Sequence, residues 1–204
     1  MTPLLEAFAE SFPPGVVNIV FGRGRTLASP IMKSGKVDVL ALIGNSKSSN
    51  ALISQHPKPN RVRQVLGLDA KNPAIVFPDA DLEVAVKECV KGAWGFNGQR
   101  CTALKVVYVH RDIREAFLEA FAKATDALTW GSPLDNADIT PLPVLGKVDT
   151  MQSYLQEAVD KGATVVNARG GDVEGNMMFP AILHPVDRDT QLFREEQFGP
   201  LCPV

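Results

Sequence analysis

The sequence predicts an α/β protein with parallel strands, and three observations carry that expectation. Short runs rich in β-branched residues stand ahead of segments with helical periodicity, glycine turns separate the two, and the later helices each show one apolar face. Parallel strands need a crossover between them, usually a helix, so repeated strand, turn and helix implies βαβ units. With 204 residues, 45% hydrophobic and 22% charged, the chain has material for one sizeable core or two small ones. Disordered and fibrous classes are thereby excluded.

Taken in order, Thr2 and Pro3 suit an N-cap and a first helical position, and Leu4, Leu5, Phe8 and Phe12 share a face of the helix that follows. Pro13-Pro14-Gly15 ends it. Val16 to Phe21 reads as a short strand closed by Gly22-Arg23-Gly24, and Thr26 to Lys33 as a second helix. Val37 to Ile43 is the next strand, running into Gly44-Asn45-Ser46 and a helix from Lys47 to Ser54. After Pro57-Lys58-Pro59, strands are expected at Val62 to Leu66 and Ala74 to Phe77. Pro78-Asp79-Ala80-Asp81 then caps a long helix with Leu82, Val86, Cys89, Val90, Ala93 and Trp94 on its apolar side. It stops at Asn97-Gly98. Beyond lie a strand (Lys105 to His110), helices (Ile113 to Leu128, Lys147 to Lys161), a strand (Thr164 to Asn167) and the apolar stretch Phe179 to Pro185.

A net charge of −2, with Lys and Arg scattered, lacks the basic footprint of backbone-driven nucleic-acid binding. No run reaches the ~20 apolar residues that span a bilayer, and the N-terminus lacks the pattern of a signal peptide. The expectation is therefore a cytoplasmic protein with no nucleic-acid or membrane partner. Cys89, Cys101 and Cys202 are widely spaced and have no Cys-x-x-Cys pair, which indicates neither a disulfide framework nor a metal site.

Cys101 is the candidate nucleophile. It follows a Gly-Gln turn, has Arg100 beside it and a possible helix start at Thr102-Ala103, surroundings that favour a thiolate. A cysteine taken alone is more often a small buried hydrophobe, and Cys89 and Cys202 are read that way. The order Phe96-Asn97-Gly98-Gln99-Arg100-Cys101-Thr102-Ala103, however, closely resembles the cysteine signature of the aldehyde dehydrogenase superfamily. Pro14-Gly15-Val16-Val17-Asn18-Ile19-Val20, Lys71-Asn72-Pro73-Ala74-Ile75-Val76 and Glu195-Glu196-Gln197-Phe198-Gly199-Pro200 match further family blocks in the same order.

That resemblance implies an aldehyde-dehydrogenase-like fold. Residues 1–59 would form the C-terminal part of a Rossmann-type cofactor-binding domain, and residues 60–204 an α/β catalytic domain incomplete at its C-terminus. The cofactor implied is NAD or NADP, and the substrate a small-molecule aldehyde. Cofactor contacts fall to Gly22, to Gly44, Asn45 and Ser46 at a helix start, and to Glu196 and Phe198 near the nicotinamide riboside. Substrate contacts fall to Arg100 and Thr102. Arg100-Cys101-Thr102 and Asp138-Ile139-Thr140-Pro141-Leu142 look most like the NADP-dependent branch that oxidises glyceraldehyde 3-phosphate without phosphorylation, where the Arg helps to hold the phosphate. Arg100 could equally pair with a nearby carboxylate or tune Cys101 through its positive charge.

The implied chemistry is thiolate attack to a thiohemiacetal, hydride transfer to the nicotinamide, and hydrolysis of a Cys101 thioester. One departure stands out. Gly67-Leu68-Asp69-Ala70-Lys71 lies where hydrolytic members have a block opened by the glutamate that activates water, and Gly67 has no proton acceptor. Asp69 or Glu196 could substitute. The alternatives are acyl transfer to coenzyme A and a truncated, non-catalytic module with the same fold. Family members are longer and commonly oligomeric, so the chain is expected to be an internal piece. It would start after the block holding an oxyanion-hole Asn and a cofactor-binding Lys, and stop before the oligomerisation segment of a full-length homo-oligomer.

Overall fold

The computed structural model describes residues 4–204, so the Thr2 cap and Pro3 position lie outside the described residues. The chain divides into two units, one ending at Asp69 and the other running from Ala70 to Val204.

The first unit contains helices α1 (Leu4–Ser11), α2 (Gly24–Lys33) and α3 (Ser46–Ile53) and strands β1 (Val39–Ile43) and β2 (Arg63–Gly67). The two strands pair in parallel, Val39 opposite Arg63 and Ile43 opposite Gly67, with α3 in the crossover. This pairing decides where the unit ends. The prolines at 57 and 59 mark a loop, but the ladder carries the chain back beside β1, so the division falls after Asp69 and not between residues 59 and 60. The run Val16 to Phe21 is not a strand. Its β-branched residues suit an extended chain, yet a strand exists only with a partner for its N–H and C=O groups, and none pairs with it among the described residues.

The second unit begins with β3 (Pro73–Val76), which pairs in parallel with β4 (Val106–Val109), and the crossover between them holds α4 (Leu82–Trp94). Asp81 starts α4 by accepting the Val84 N–H at 3.1 Å. Its buried positions, Val86, Cys89, Ala93 and Trp94, follow helical spacing and face α5 (Arg114–Asp126). Phe117, Leu118 and Phe121 complete this core from α5. Trp94 stacks on Phe121 at 5.9 Å between centroids, and its indole N–H donates to Thr125 Oγ1 at 3.0 Å.

A second cluster forms between α6 (Lys147–Asp160) and a three-stranded sheet of β5 (Thr164–Val165), β8 (Ala181–His184) and β9 (Leu201–Pro203), in the order β5-β8-β9. A hairpin of β6 (Val173–Glu174) and β7 (Met177–Met178), turning at Gly175, interrupts the chain before β8. The short helix α7 (Gln191–Arg194), which the sequence did not suggest, is capped by Thr190 through the Phe193 N–H and anchored by buried Leu192. It delivers the chain to Glu195–Pro200. No described helix is long and apolar enough to cross a membrane.

Candidate active site

Cys101 stands in a turn whose shape begins with the end of α4. Phe96, Asn97 and Gly98 follow one another at φ of +55°, +56° and +68°, a left-handed run that phenylalanine strongly disfavours. Buried Asn97 over-determines it, donating to the Thr140 carbonyl at 3.0 Å and accepting the Thr140 N–H at 3.0 Å. Gly98 is obligatory here. A Cβ at that position would lie 2.6 Å from the Gly199 carbonyl oxygen and 2.9 Å from that of Ala93. The backbone before the cysteine thus abuts the Phe198-Gly199 backbone, bringing together two blocks a hundred residues apart in sequence.

After Gly98 the chain turns through Gln99 to Thr102, and the Ala103 N–H bonds the Arg100 carbonyl at 3.0 Å. No helix starts at Thr102, so the expected helix terminus beside the thiol is absent: Asn72 and Lys105 take the carbonyls that an extending helix would have used. The Asn72 side-chain amide donates to the Cys101 carbonyl at 2.6 Å and to the Ala103 carbonyl at 2.9 Å. Lys105 Nζ donates to the carbonyls of Arg100 at 2.8 Å and Gly98 at 3.2 Å. Held from within in this way, the turn presents Cys101 outward. Of the three thiols Cys101 alone is exposed, whereas burial pushes the Cys89 thiol up to about 11 and raises that of Cys202 as well.

Glu196 lies 3.7 Å from Lys105 Nζ, and the Phe198 ring centroid is 4.7 Å from the same ammonium. Lys105 is only 1% exposed. Burial moves it below the usual lysine range, while Glu196 and Cys101 act to keep it charged. Gln197, also buried, donates to the carbonyls of Lys105 at 3.0 Å and Leu201 at 2.6 Å. Lys71 Nζ braces the same segment from another side, bonding Gln197 Oε1 at 2.6 Å and the carbonyls of Leu192 and Glu195. Burial is the main cause that lowers Lys71 to about 8. Lys147 Nζ donates to the Gln197 carbonyl at 2.8 Å and lines a cleft of about 610 Å³ with Phe96, Gln99, Thr140 and Phe198.

Arg100 is exposed, with its guanidinium 4.7 Å over the Phe96 ring, and no carboxylate pairs with it among the described residues. Thr102 lines a different, smaller groove with Asn72, Gly92 and Leu104. Cys101, Arg100, Glu196 and Phe198 are therefore gathered around Lys105, Phe198 also lines the cleft, and Thr102 lines the second groove.

In the first unit Gly22 precedes the start of α2, and Gly44, Asn45 and Ser46 lead into α3. Asn45 caps that helix through the Ser48 N–H at 2.7 Å. Ser46 gives both its N–H, at 2.8 Å, and its hydroxyl, at 2.9 Å, to the Asp69 carboxylate. The Ser46 N–H bond is the largest cause that holds Asp69 below its ordinary carboxylate range. A helix start offers its free N–H groups to an anion, and here an internal carboxylate already accepts one of them. For a dinucleotide, Glu196, Phe198 and the adjoining cleft have the acceptor, the ring and the room for a ribosylated ring. The Gly44–Ser46 turn fits a pyrophosphate less well.

The sequence reading missed Asn72, Lys71, Lys105, Lys147 and Gln197. Lys71, Asn72 and Gln197 stand inside the family-like blocks without a role attached to them, and Lys105 left a signal of its own, as a lone charge between Leu104 and Val106-Val107 in an apolar run.

An exposed thiol, a buried ammonium and a carboxylate thus share one corner of the second unit. The chain belongs to the aldehyde dehydrogenase family, whose model matches residues 1–204. It is 37% identical to the NADP-dependent glyceraldehyde-3-phosphate dehydrogenase of Streptococcus equinus, over 98% of this chain and 41% of that protein. It is 33% identical to the enzyme of the same name from Scenedesmus vacuolatus, over 94% of this chain and 80% of that sequence. Among solved structures, the NADP complex of NADP-dependent glyceraldehyde-3-phosphate dehydrogenase from Bacillus halodurans C-125 superposes with a TM-score of 0.89 at 30% identity, over 99% of this chain and 42% of that one. The chain thus spans about two-fifths of the length of the Streptococcus relative.

Proposed function

We propose that this protein oxidises an aldehyde to the acid at Cys101, with NAD or NADP as hydride acceptor, and that glyceraldehyde 3-phosphate is its substrate. The observation that carries the reading is the outward thiol of Cys101 on a turn held from within by Lys105 and Asn72, beside the Glu196–Phe198 segment. The family membership and the names of the relatives support it.

Cys101 Sγ attacks the carbonyl carbon, forming the C–S bond of a thiohemiacetal. NAD(P), when bound, supplies the acceptor for the hydride that leaves that carbon, and Glu196 and Phe198 would hold its nicotinamide riboside. What remains on Cys101 is a thioester. Water cleaves its C–S bond, giving the acid and returning the thiol. Arg100 is suited to the substrate phosphate, because its guanidinium rests on Phe96 with no carboxylate pairing it.

The last step lacks a dedicated base at Gly67. Asp69 is a poor replacement, since the two Ser46 bonds stabilise its ionised form and make it a weak proton acceptor. Glu196 is the carboxylate left for the proton of water, and it serves the cofactor first. Loss of a positioned base typically costs ~10²–10⁴ in rate, so deacylation limits turnover. Mixing the protein with NADP and glyceraldehyde 3-phosphate gives a burst of NADPH near one equivalent, then a slow phase, with an acyl group on Cys101 visible by mass spectrometry. Cys101→Ser abolishes both. A burst that persists in Cys101→Ser, or no burst from the unaltered protein, refutes the reading.

A further inference from the structure

We propose that Lys105 is a positioning residue for Cys101, tying the thiol turn and the Glu196–Phe198 segment into one unit through a single buried ammonium. The inference rests on Cys101 being the nucleophile. Its basis is geometric: Nζ holds the Gly98 and Arg100 carbonyls on one side and approaches Glu196 and the Phe198 ring on the other, from a side chain 1% exposed. The main chain repeats the tie. The Lys105 carbonyl accepts from buried Gln197, and its N–H donates to the carbonyl of Asn72, whose amide holds Cys101 itself.

Stability alone does not explain a lysine at this position. A buried ion pair is often matched or surpassed by apolar side chains of similar volume, so a purely structural role here would be served by methionine. The ammonium supplies two things methionine lacks. It donates to the Gly98 carbonyl and gives a second donor to the Arg100 carbonyl that Ala103 already holds, and it places a positive charge under the turn that ends in the thiol. Glu196 and Cys101 favour that charge, and the charge in turn helps to lower its neighbours Lys71 and Lys147, for which burial is the larger cause. Glu196 therefore shares the ammonium with the thiol turn, and the two claims on it compete.

This competition predicts opposite signs for two substitutions. The readout is the rate at which iodoacetamide alkylates Cys101 at neutral pH, without aldehyde or cofactor, followed by peptide mass spectrometry. With the ammonium gone from beneath the turn, Lys105→Met slows alkylation by more than about twofold, and Glu196→Gln, which removes the competing carboxylate, speeds it by more than about twofold. Phe117→Ala, a core change in α5, lowers stability but leaves the rate within about twofold. Loosening of the fold would expose the thiol and push all three variants in one direction. Equal effects of Lys105→Met and Phe117→Ala, or no effect of Lys105→Met, overturn the proposal. If Lys105→Met does not fold, Glu196→Gln decides, and an unchanged or slower rate overturns the proposal. The assay needs no turnover. A protein with the alkylation pattern but no NADPH burst would keep the positioning role and lose the proposed oxidation, and the converse result would do the reverse.

Discussion

The two units are built from the same elements yet stabilised very differently. In the second unit α4 and α5 pack Trp94, Phe117 and Phe121 out of water, and a second cluster closes around Met151, Leu183 and Leu192. In the first, the described buried positions are Met32, Ser49, His56 and Val62, while Ile43 is 90% exposed and Val39 and Val65 are also open. Two of those buried positions are polar, and Ser49 Oγ and His56 Nε2 have no hydrogen-bond partner. A short parallel pair with one crossover helix therefore keeps its ladder but buries little apolar surface. Regular secondary structure and a buried apolar core are separable properties, and among the described residues the second unit shows both where the first shows mainly the ladder.

The strongest way to break this comparison is a matched pair of truncations. Phe121→Ala removes a fully buried ring stacked on Trp94 and should cost about 3–5 kcal/mol. Ile43→Ala removes a side chain already in water and should cost no more than about 0.5 kcal/mol. Both tryptophans, Trp94 and Trp130, lie in the second unit, so urea unfolding followed by their fluorescence reports on that unit. Equal shifts of the midpoint in the two variants would contradict the contrast.

Legibility in the sequence follows the same division. The strands β1 to β4 and the four longest helices were readable because β-branched runs and apolar faces are local patterns. Val16 to Phe21 misled because strand formation depends on a partner, which composition does not report. At the site, Asn97-Gly98 was readable as the end of a helix, since both residues tolerate positive φ. Lys105 was not. A lysine at a strand edge ordinarily carries its charge to solvent, and this one turns inward to the carbonyls of Gly98 and Arg100, to Glu196 and to the Phe198 ring. Asp69 was weighed as a base on its chemistry, but Ser46, which engages it, lies 23 residues away.

A smaller effect sharpens the contrast through pH. Lys71 has its folded pKa lowered to about 8, below the ordinary 10.5, mainly by burial. A lysine depressed in the folded state binds fewer protons there than when unfolded, so its contribution to stability rises with pH between about 8 and 10.5. Lys71→Met should flatten that segment of the stability curve, measured by tryptophan fluorescence from pH 7 to 10.5. A rise of the same size in Lys71→Met would assign it to other groups.

The smallest effect belongs to the first unit and has the opposite pH sense. Asp69 is held below its ordinary 3.8 by the Ser46 N–H and hydroxyl, so its contribution is present above that value and lost as pH falls through the lower folded pKa. The pair is exposed, which keeps its worth small and salt-sensitive. Asp69→Asn should shift the α3 amides toward faster hydrogen exchange at pH 7, by a factor of two or three at most, and leave Trp94 and Trp130 unaffected. The same substitution bears on the cofactor. It removes the negative charge from the helix start while keeping an acceptor for Ser46, and the N-terminus of α3 becomes a better place for a pyrophosphate. NADP affinity, measured by calorimetry, should rise in Asp69→Asn if the dinucleotide uses that turn. Unchanged affinity alongside faster exchange would mean that Asp69 matters to the helix and that the pyrophosphate is held elsewhere.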